Sequence, residues 1–306
     1  MDWSGEIRSA MDRIKPHVRR TPVLGHVDIG LPRPVTLKFE QMQHTGSFKA
    51  RGAFNTLLSE TVPEAGVVAA SGGNHGAAVA YAAAQLGYRA NIFVPELAGP
   101  AKIDLIRRTG AELHVVPGAY ANAFEAAQAF EAETGAMQVH AYDATGTVAG
   151  QGTLSLEWED QGLDADTVVI AVGGGGLIAG AMAWMGNRRR IVGVEPETSC
   201  ALHAAQQAGA PTDVEVSGVA ANALGAKRIG NICFGLAEQT GTSVTLVSDE
   251  AILAAQKWLW QSLRQLVEPA GAAALAALMS GAYVPDPDER VAVLVCGANP
   301  APDPFV

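Results

Sequence analysis

Lys49 stands in the segment His44-Thr-Gly-Ser-Phe-Lys-Ala-Arg-Gly52, flanked by the apolar Phe48 and Ala50. A lysine so placed is partly removed from water, which disfavours its ammonium form and lowers its pKa. A neutral amine can close a Schiff base with a carbonyl and later serve as a general base; the plainer reading is a surface lysine on a helix. Two further segments suit anions. Gly173-Gly174-Gly175-Gly176 follows the apolar run Thr167–Val172 and leads into Leu177-Ile178-Ala179-Gly180. Glycines let the main chain approach a phosphate without Cβ obstruction, and a helix N-terminus adds a positive partial charge of about half a unit. Ser71-Gly72-Gly73-Asn74-His75-Gly76 repeats the strand-to-helix arrangement, and its amides suit a carboxylate. The plainer reading there is a tight turn, with Ser71 or Asn74 as N-cap and His75 packed and satisfied. No register of the four-glycine run supplies all three glycines of G-x-G-x-x-G. Glu195 lies where a ribose-binding acid would stand, but the dinucleotide reading fails on the glycines.

These segments must be held by regular elements. Apolar runs rich in β-branched residues alternate with Ala-rich stretches of helical period, the pattern of an α/β protein with largely parallel strands and crossover helices. The runs predict strands at Val35–Phe39, Gly66–Ala70, Ala90–Val94, Glu112–Val116, Thr167–Val172, Arg190–Val194 and Arg290–Val295. The spacing predicts helices at Ser47–Leu58, Asn74–Leu86, Pro100–Thr109, Tyr120–Thr134, Gln151–Asp160, Leu177–Met185, Asp249–Leu263 and Gly271–Leu278. Ser248-Asp249-Glu250 reads as an N-cap followed by acids that favour the positive helix end. No repeat is evident, and the only linker-like stretches are the Val284–Glu289 turn and the Ala-Pro-Asp-Pro tail. A small domain at 66–143 is expected, inserted into a large domain built from 1–65 and 144–306.

The composition sets bounds on function. A chain of 306 residues, 48% apolar and 17% charged, can bury a large core. Residues Met1 to Arg20 carry charges throughout and hold no apolar run suited to a signal peptide or membrane span, so a cytoplasmic protein without a membrane partner is expected. Cys200, Cys233 and Cys296 are widely spaced and odd in number, which points to a reduced compartment. The net charge of −10 is spread along the chain with no basic stretch interleaved with aromatics, so nucleic acid is not an expected partner.

Taken in order, five segments resemble the fold type II pyridoxal-phosphate enzymes, in the branch of serine/threonine dehydratases and serine racemases. Lys38–Ala53 resembles the family's lysine segment, Ser71–Gly76 its substrate-carboxylate loop and Gly173–Gly176 its phosphate loop. Glu268-Pro269-Ala270-Gly271 and Cys296-Gly297-Ala298-Asn299 resemble its two late landmarks. The resemblance implies two open, mostly parallel sheets flanked by helices, as in tryptophan synthase β, and commonly a homodimer. It implies that Lys49 carries pyridoxal 5′-phosphate as a Schiff base, beside Phe48, and that Gly173, Gly174, Gly175 and Gly176 hold the phosphate. By the same resemblance Ser71, Gly72, Gly73, Asn74 and His75 bind the substrate carboxylate, while Asn74 also bonds the cofactor's ring oxygen. Cys296 then stands beside the pyridine nitrogen, a weak partner that leaves the ring neutral and favours prompt loss of a β leaving group.

The implied activity is dehydration of a small amino-acid substrate with a β-hydroxyl, such as L-threonine or L-serine, to a 2-oxo acid and ammonia. Racemisation or β-replacement are the alternatives on this scaffold, and a PLP-binding protein without turnover is another. Racemases of the family carry Ser directly before Gly-Asn-His, where this chain has Gly72, so elimination is favoured over racemisation. Relatives with a divalent cation pair the Glu195 position with a second carboxylate where this chain has Ala201, so Glu195 alone remains and weak or absent metal binding is expected. The family's Ala-Asp-Gly near the substrate is Ala221-Asn222-Ala223 here, which leaves the β-substituent open. The end at Val306 is read as leaving no room for the effector domain of biosynthetic threonine dehydratases.

Overall fold

A computed structural model describes residues 1–98, 100–118 and 120–300 of the chain, so the Ala-Pro-Asp-Pro run from Ala301 lies outside the described residues. The strands are β1 Val23–Val27, β2 Val35–Phe39, β3 Val67–Ala70, β4 Ala90–Pro95, β5 Glu112–Val116, β6 Met137–Gln138, β7 Thr167–Ala171, β8 Arg190–Pro196, β9 Ser243–Val247 and β10 Val291–Val295. The helices are α1 Trp3–Ile14, α2 Lys49–Ser59, α3 Asn74–Leu86, α4 Pro100–Arg107, α5 Tyr120–Thr134, α6 Thr145–Asp160, α7 Gly176–Met185, α8 Ala201–Ala208, α9 Ala221–Leu224, α10 Asn231–Thr240, α11 Asp249–Leu263 and α12 Pro269–Met279. Two sheets result, one ordered β1-β2-β10-β7-β8-β9 and one ordered β5-β4-β3-β6. All pairs are parallel except β1 with β2.

The central strands β3, β7 and β10 are buried along their whole length, as parallel strands covered on both faces must be. Their uninterrupted Val, Ile and Ala runs made them readable. Three strands were not foreseen, and each lacks that signal. β1 and β9 lie at the edges of the larger sheet with mixed exposure, and β1 breaks its register between Leu24 and Val27, where His26 takes φ 58°. β6 has only the two residues Met137 and Gln138.

The helix α6 begins at Thr145, ahead of the expected start at Gln151, because its glycines serve packing. A Cβ at Gly150 would sit 2.7 Å from both Arg51 O and Gly52 Cα, so the glycine lets α6 lie against α2. Among the helices not foreseen, α1 buries Ile7, Ala10 and Ile14 and exposes Glu6, Arg8 and Asp12, while its half-buried Arg13 donates to Asn55 Oδ1 at 2.7 Å. As expected, Ser248 accepts from the Ala251 amide and caps α11.

Candidate active site

The strand β2 runs into two short turns and then α2, which opens on Lys49. Ser47 bridges to Gly297, the residue after Cys296, so the lysine segment is tied to the end of β10. Lys49 Nζ donates to Ala141 O at 2.7 Å and lies 5.1 Å from the Phe48 ring centroid. Burial lowers its pKa from the ordinary lysine value to about 8, with no carboxylate among the opposing causes. A substantial share of this amine is therefore neutral near physiological pH.

Gly173–Gly176 link β7 to α7, and Gly175 takes φ +92° as the N-cap residue, a conformation suited to glycine. A Cβ at Gly174 would overlap the Tyr142 ring, and one at Gly176 would lie 2.9 Å from Tyr142 Cα. No side chain caps α7, and among the described residues the N–H groups of Gly173 to Gly176 have no protein acceptor. An anion at this point would complete the helix end.

The second loop offers fewer amides than the sequence implied. The Ser71 N–H donates to Phe93 O at 2.9 Å, continuing the β3–β4 ladder, and the Gly73 N–H donates to Ser71 Oγ at 3.2 Å. The N–H groups of Gly72, Asn74 and His75 keep no acceptor among the described residues and are the ones left for a carboxylate. The imidazole of His75 does not face the loop's mouth as an acid or base. Its Nε2 donates to Val139 O at 2.8 Å, and burial first, then the Lys49 charge, push its pKa down to about 3.

Asn74 is held from both sides. Its Nδ2 donates to Glu268 Oε1 at 2.5 Å, and its Oδ1 accepts from Asn299 Nδ2 at 2.6 Å, while Asn299 also donates to Thr45 O at 2.8 Å. One Nδ2 hydrogen remains for a ligand, in an orientation set by Glu268 and Asn299. Cys296 follows β10, is 3% exposed, and donates through Sγ to Ala270 O at 3.4 Å. Burial, helped by the Glu268 charge, pushes its thiol up to about 12, so it stays a neutral and weak partner.

Glu195 is not part of this cluster of contacts. Its two oxygens accept from the amides of Leu202 and His203 at 2.8 and 2.9 Å, at the start of α8, and burial raises its carboxyl to about 7 against their pull. Among the described residues no group of three His, Cys, Asp or Glu side chains is placed to hold a metal ion.

The site also holds residues that the motifs did not reveal. Ala141 contributes only a backbone carbonyl, which no side-chain pattern can announce. Glu268 and Asn299 were visible as family landmarks but not as partners of Asn74. Tyr142 lies over the four-glycine loop, and a Tyr two residues after His140 carries no signal by itself.

The features required for a carbonyl cofactor with a phosphate are thus together in one chain: a partly neutral lysine, a glycine helix entry with open amides and a fixed asparagine. The pyridoxal-phosphate dependent enzyme family matches residues 14–297. This chain belongs to that family. The residues fit its cofactor, which supplies the electron sink that makes the Cα–H of a bound amino acid acidic. The phenylserine dehydratase of Ralstonia pickettii is 37% identical over 295 residues, covering 94% of this chain and 90% of that protein. An L-threonine ammonia-lyase of Thermotoga maritima is 35% identical over 304 residues, covering 96% of this chain and 75% of that protein. Among solved structures, maize serine racemase superposes with a TM-score of 0.91 at 30% identity, covering 97% of this chain and 93% of that one. A threonine deaminase from T.th. gives 0.90 at 35% identity, covering 98% of this chain and 99% of that one. The two-sheet architecture expected from the sequence is the one these structures share. No helix among the described residues is long and apolar enough to cross a membrane.

Proposed function

We propose that this pyridoxal-phosphate enzyme is a dehydratase, an ammonia-lyase that takes water from a β-hydroxy amino acid and yields a 2-oxo acid and ammonia. The observation that carries the reading is the Lys49 amine, half-buried without a carboxylate partner and brought to about 8 beside a carbonyl acceptor. Lys49 anchors the cofactor and, once displaced by substrate, its free amine takes the α-proton. The amides of Gly72, Asn74 and His75 hold the substrate carboxylate, and those of Gly173, Gly174, Gly175 and Gly176 hold the cofactor phosphate. Asn74 and Cys296 contact the ring. As the Cα–H bond gives its electron pair to a new Cα–Cβ double bond, the Cβ–O bond breaks and the hydroxyl takes up one proton, equal to the one Lys49 has removed, and leaves as water. Water then hydrolyses the released enamine to 2-oxo acid and ammonia.

Elimination is favoured over racemisation by the surroundings of Gly72. A Cβ there would overlap Ala98 Cβ and lie 3.1 Å from Val94 Cγ1, so Gly72→Ser has no ready room for the hydroxyl of a racemase. The relatives' names cover hydrogen, methyl and phenyl β-substituents and do not choose among them. We also propose that residues 66–143 act as a small domain within a large domain of 1–65 and 144–306, and that the working enzyme is a cytoplasmic homodimer. Assaying the holoenzyme on a panel of L- and D-β-hydroxy amino acids for 2-oxo acid, ammonia and inversion tests the function. Inversion without 2-oxo acid would replace dehydration by racemisation.

A further inference from the structure

A pocket of about 190 Å³ has His75, Tyr120, Phe124, His140, Ala141 and Tyr142 in its wall. Ala141 belongs both to this wall and to the Lys49 contact, and His75 belongs both to the wall and to the carboxylate loop.

Rings dominate the wall, Ala70, Gln138 and Val139 complete it, and no Asp, Glu, Lys or Arg lines it among the described residues. Tyr120 and Phe124 stand one turn apart on α5 with ring centroids 6.1 Å apart at 22°, and His140 meets Tyr142 edge-on at 5.0 Å and 78°. The His140 Nδ1 accepts from the amides of Tyr142 and Asp143 at 3.3 and 2.9 Å, and burial lowers its pKa. His75 is kept neutral by burial and the nearby Lys49 charge, with its Nε2 on Val139 O. Among the described residues no lysine or arginine lines the pocket, so a β-carboxylate would find no counter-charge within it. A cavity of about 150 Å³ suffices for benzene, whereas a lone methyl would leave most of this volume unfilled.

Building on the dehydratase reading, we infer that this pocket seats the β-substituent and is shaped for an aryl ring. The preferred substrates are β-aryl-β-hydroxy-α-amino acids, and Tyr120 and Phe124 determine that specificity. Ring-on-ring contact at offset or edge geometry is what such side chains offer an aryl group.

The holoenzyme should be compared on threo-β-phenylserine, L-threonine, L-serine and 3-hydroxyaspartate. The expected kcat/KM for phenylserine exceeds that for threonine by at least about tenfold, with 3-hydroxyaspartate last. Tyr120→Ala, at a position 53% exposed, and the milder Phe124→Leu should together lower the phenylserine-to-threonine ratio by about tenfold or more. Binding is read separately with L-phenylalanine and L-alanine, which carry no β leaving group. The holoenzyme should bind the former more tightly, and the double variant should erase that difference. A wild-type preference for serine or threonine, or a ratio that the variants do not move, overturns the pocket while leaving the dehydratase reading intact. If none of the four substrates releases 2-oxo acid, the dehydratase reading falls, and equal binding of phenylalanine and alanine would then overturn the pocket as well.

Discussion

Lys38 on β2 and Lys49 on α2 are both sheltered from water, the first wholly and the second in part, yet their surroundings differ in kind. Lys38 on β2 is 0% exposed and donates to Glu157 Oε1 at 2.5 Å, Gln161 Oε1 at 2.7 Å and Thr21 O at 2.8 Å. The same network places Arg51 Nε 2.6 Å from Glu40 Oε1 and Arg51 Nη2 2.8 Å from Glu157 Oε2. Burial lowers the Lys38 amine, but Glu157 and then Glu40 oppose that cost, and Arg51 and Lys38 hold Glu157 below the usual carboxylate range. Lys49 has a carbonyl oxygen instead, so nothing comparable offsets its desolvation. A reactive lysine is made here by withholding an anion, and a structural one by supplying two.

The largest test of that contrast is Lys49→Ala, which should cut turnover by at least about 10³-fold and remove the cofactor's borohydride-reducible visible absorbance. Retention of that absorbance would mean that another lysine carries the cofactor. Lys38→Met should behave in the opposite way. It should cost about 3 kcal/mol in urea unfolding, by leaving a buried network short of a cation, while the folded fraction keeps the absorbance. Loss of absorbance at unchanged stability would reverse the two roles.

A smaller effect should follow pH. The neutral amine is the form that captures the cofactor, so its re-incorporation into apoenzyme should accelerate as pH rises through about 8 and level off above it. The sign for stability is the same. Because the folded-state value is lowered, the unfolded chain binds the extra proton, and the apoenzyme should gain stability from about pH 8 up towards the ordinary lysine value. A re-incorporation midpoint near that ordinary value would show that Lys49 is not desolvated. The smallest expected effect is that of a chelator. With the Glu195 oxygens on the Leu202 and His203 amides, EDTA should leave turnover within assay error, and a loss restored by Mg²⁺ or Ca²⁺ would reveal a ligand set beyond Glu195.

Much of this is legible in the sequence, and the reasons are physical. Parallel strands buried on both faces write themselves as unbroken runs, so β3, β7 and β10 stood out, whereas the half-exposed edges β1 and β9 did not. Lys49 and the two loops were legible because their chemistry needs particular residue types. The engaged amides of Ser71 and Gly73, the carbonyl of Ala141 and the double clamp on Asn74 were not, because backbone groups and tertiary partners leave no mark in residue identity. Glycine proved ambiguous in the same way. Gly174 and Gly176 admit Tyr142, and Gly150 admits α2, so a glycine that reads as an anion cradle or a loop can also be a point of close packing.

The order of strands in the larger sheet has a consequence for how the chain reaches this state. β10, near the end of the chain, lies between β2 and β7. During synthesis β1 with β2, and β7 with β8 and β9, emerge as two separate pieces, each with an open edge, and only the last strand joins them. All four strands of the smaller sheet, β3 to β6, have appeared long before. A nascent chain arrested before Val291 can thus have a finished small sheet while its larger one presents two unpaired edges, the kind of surface that recruits other chains. The same late strand delivers Cys296 and the Gly297 bridge to Ser47, so the lysine segment is secured only when synthesis is nearly complete.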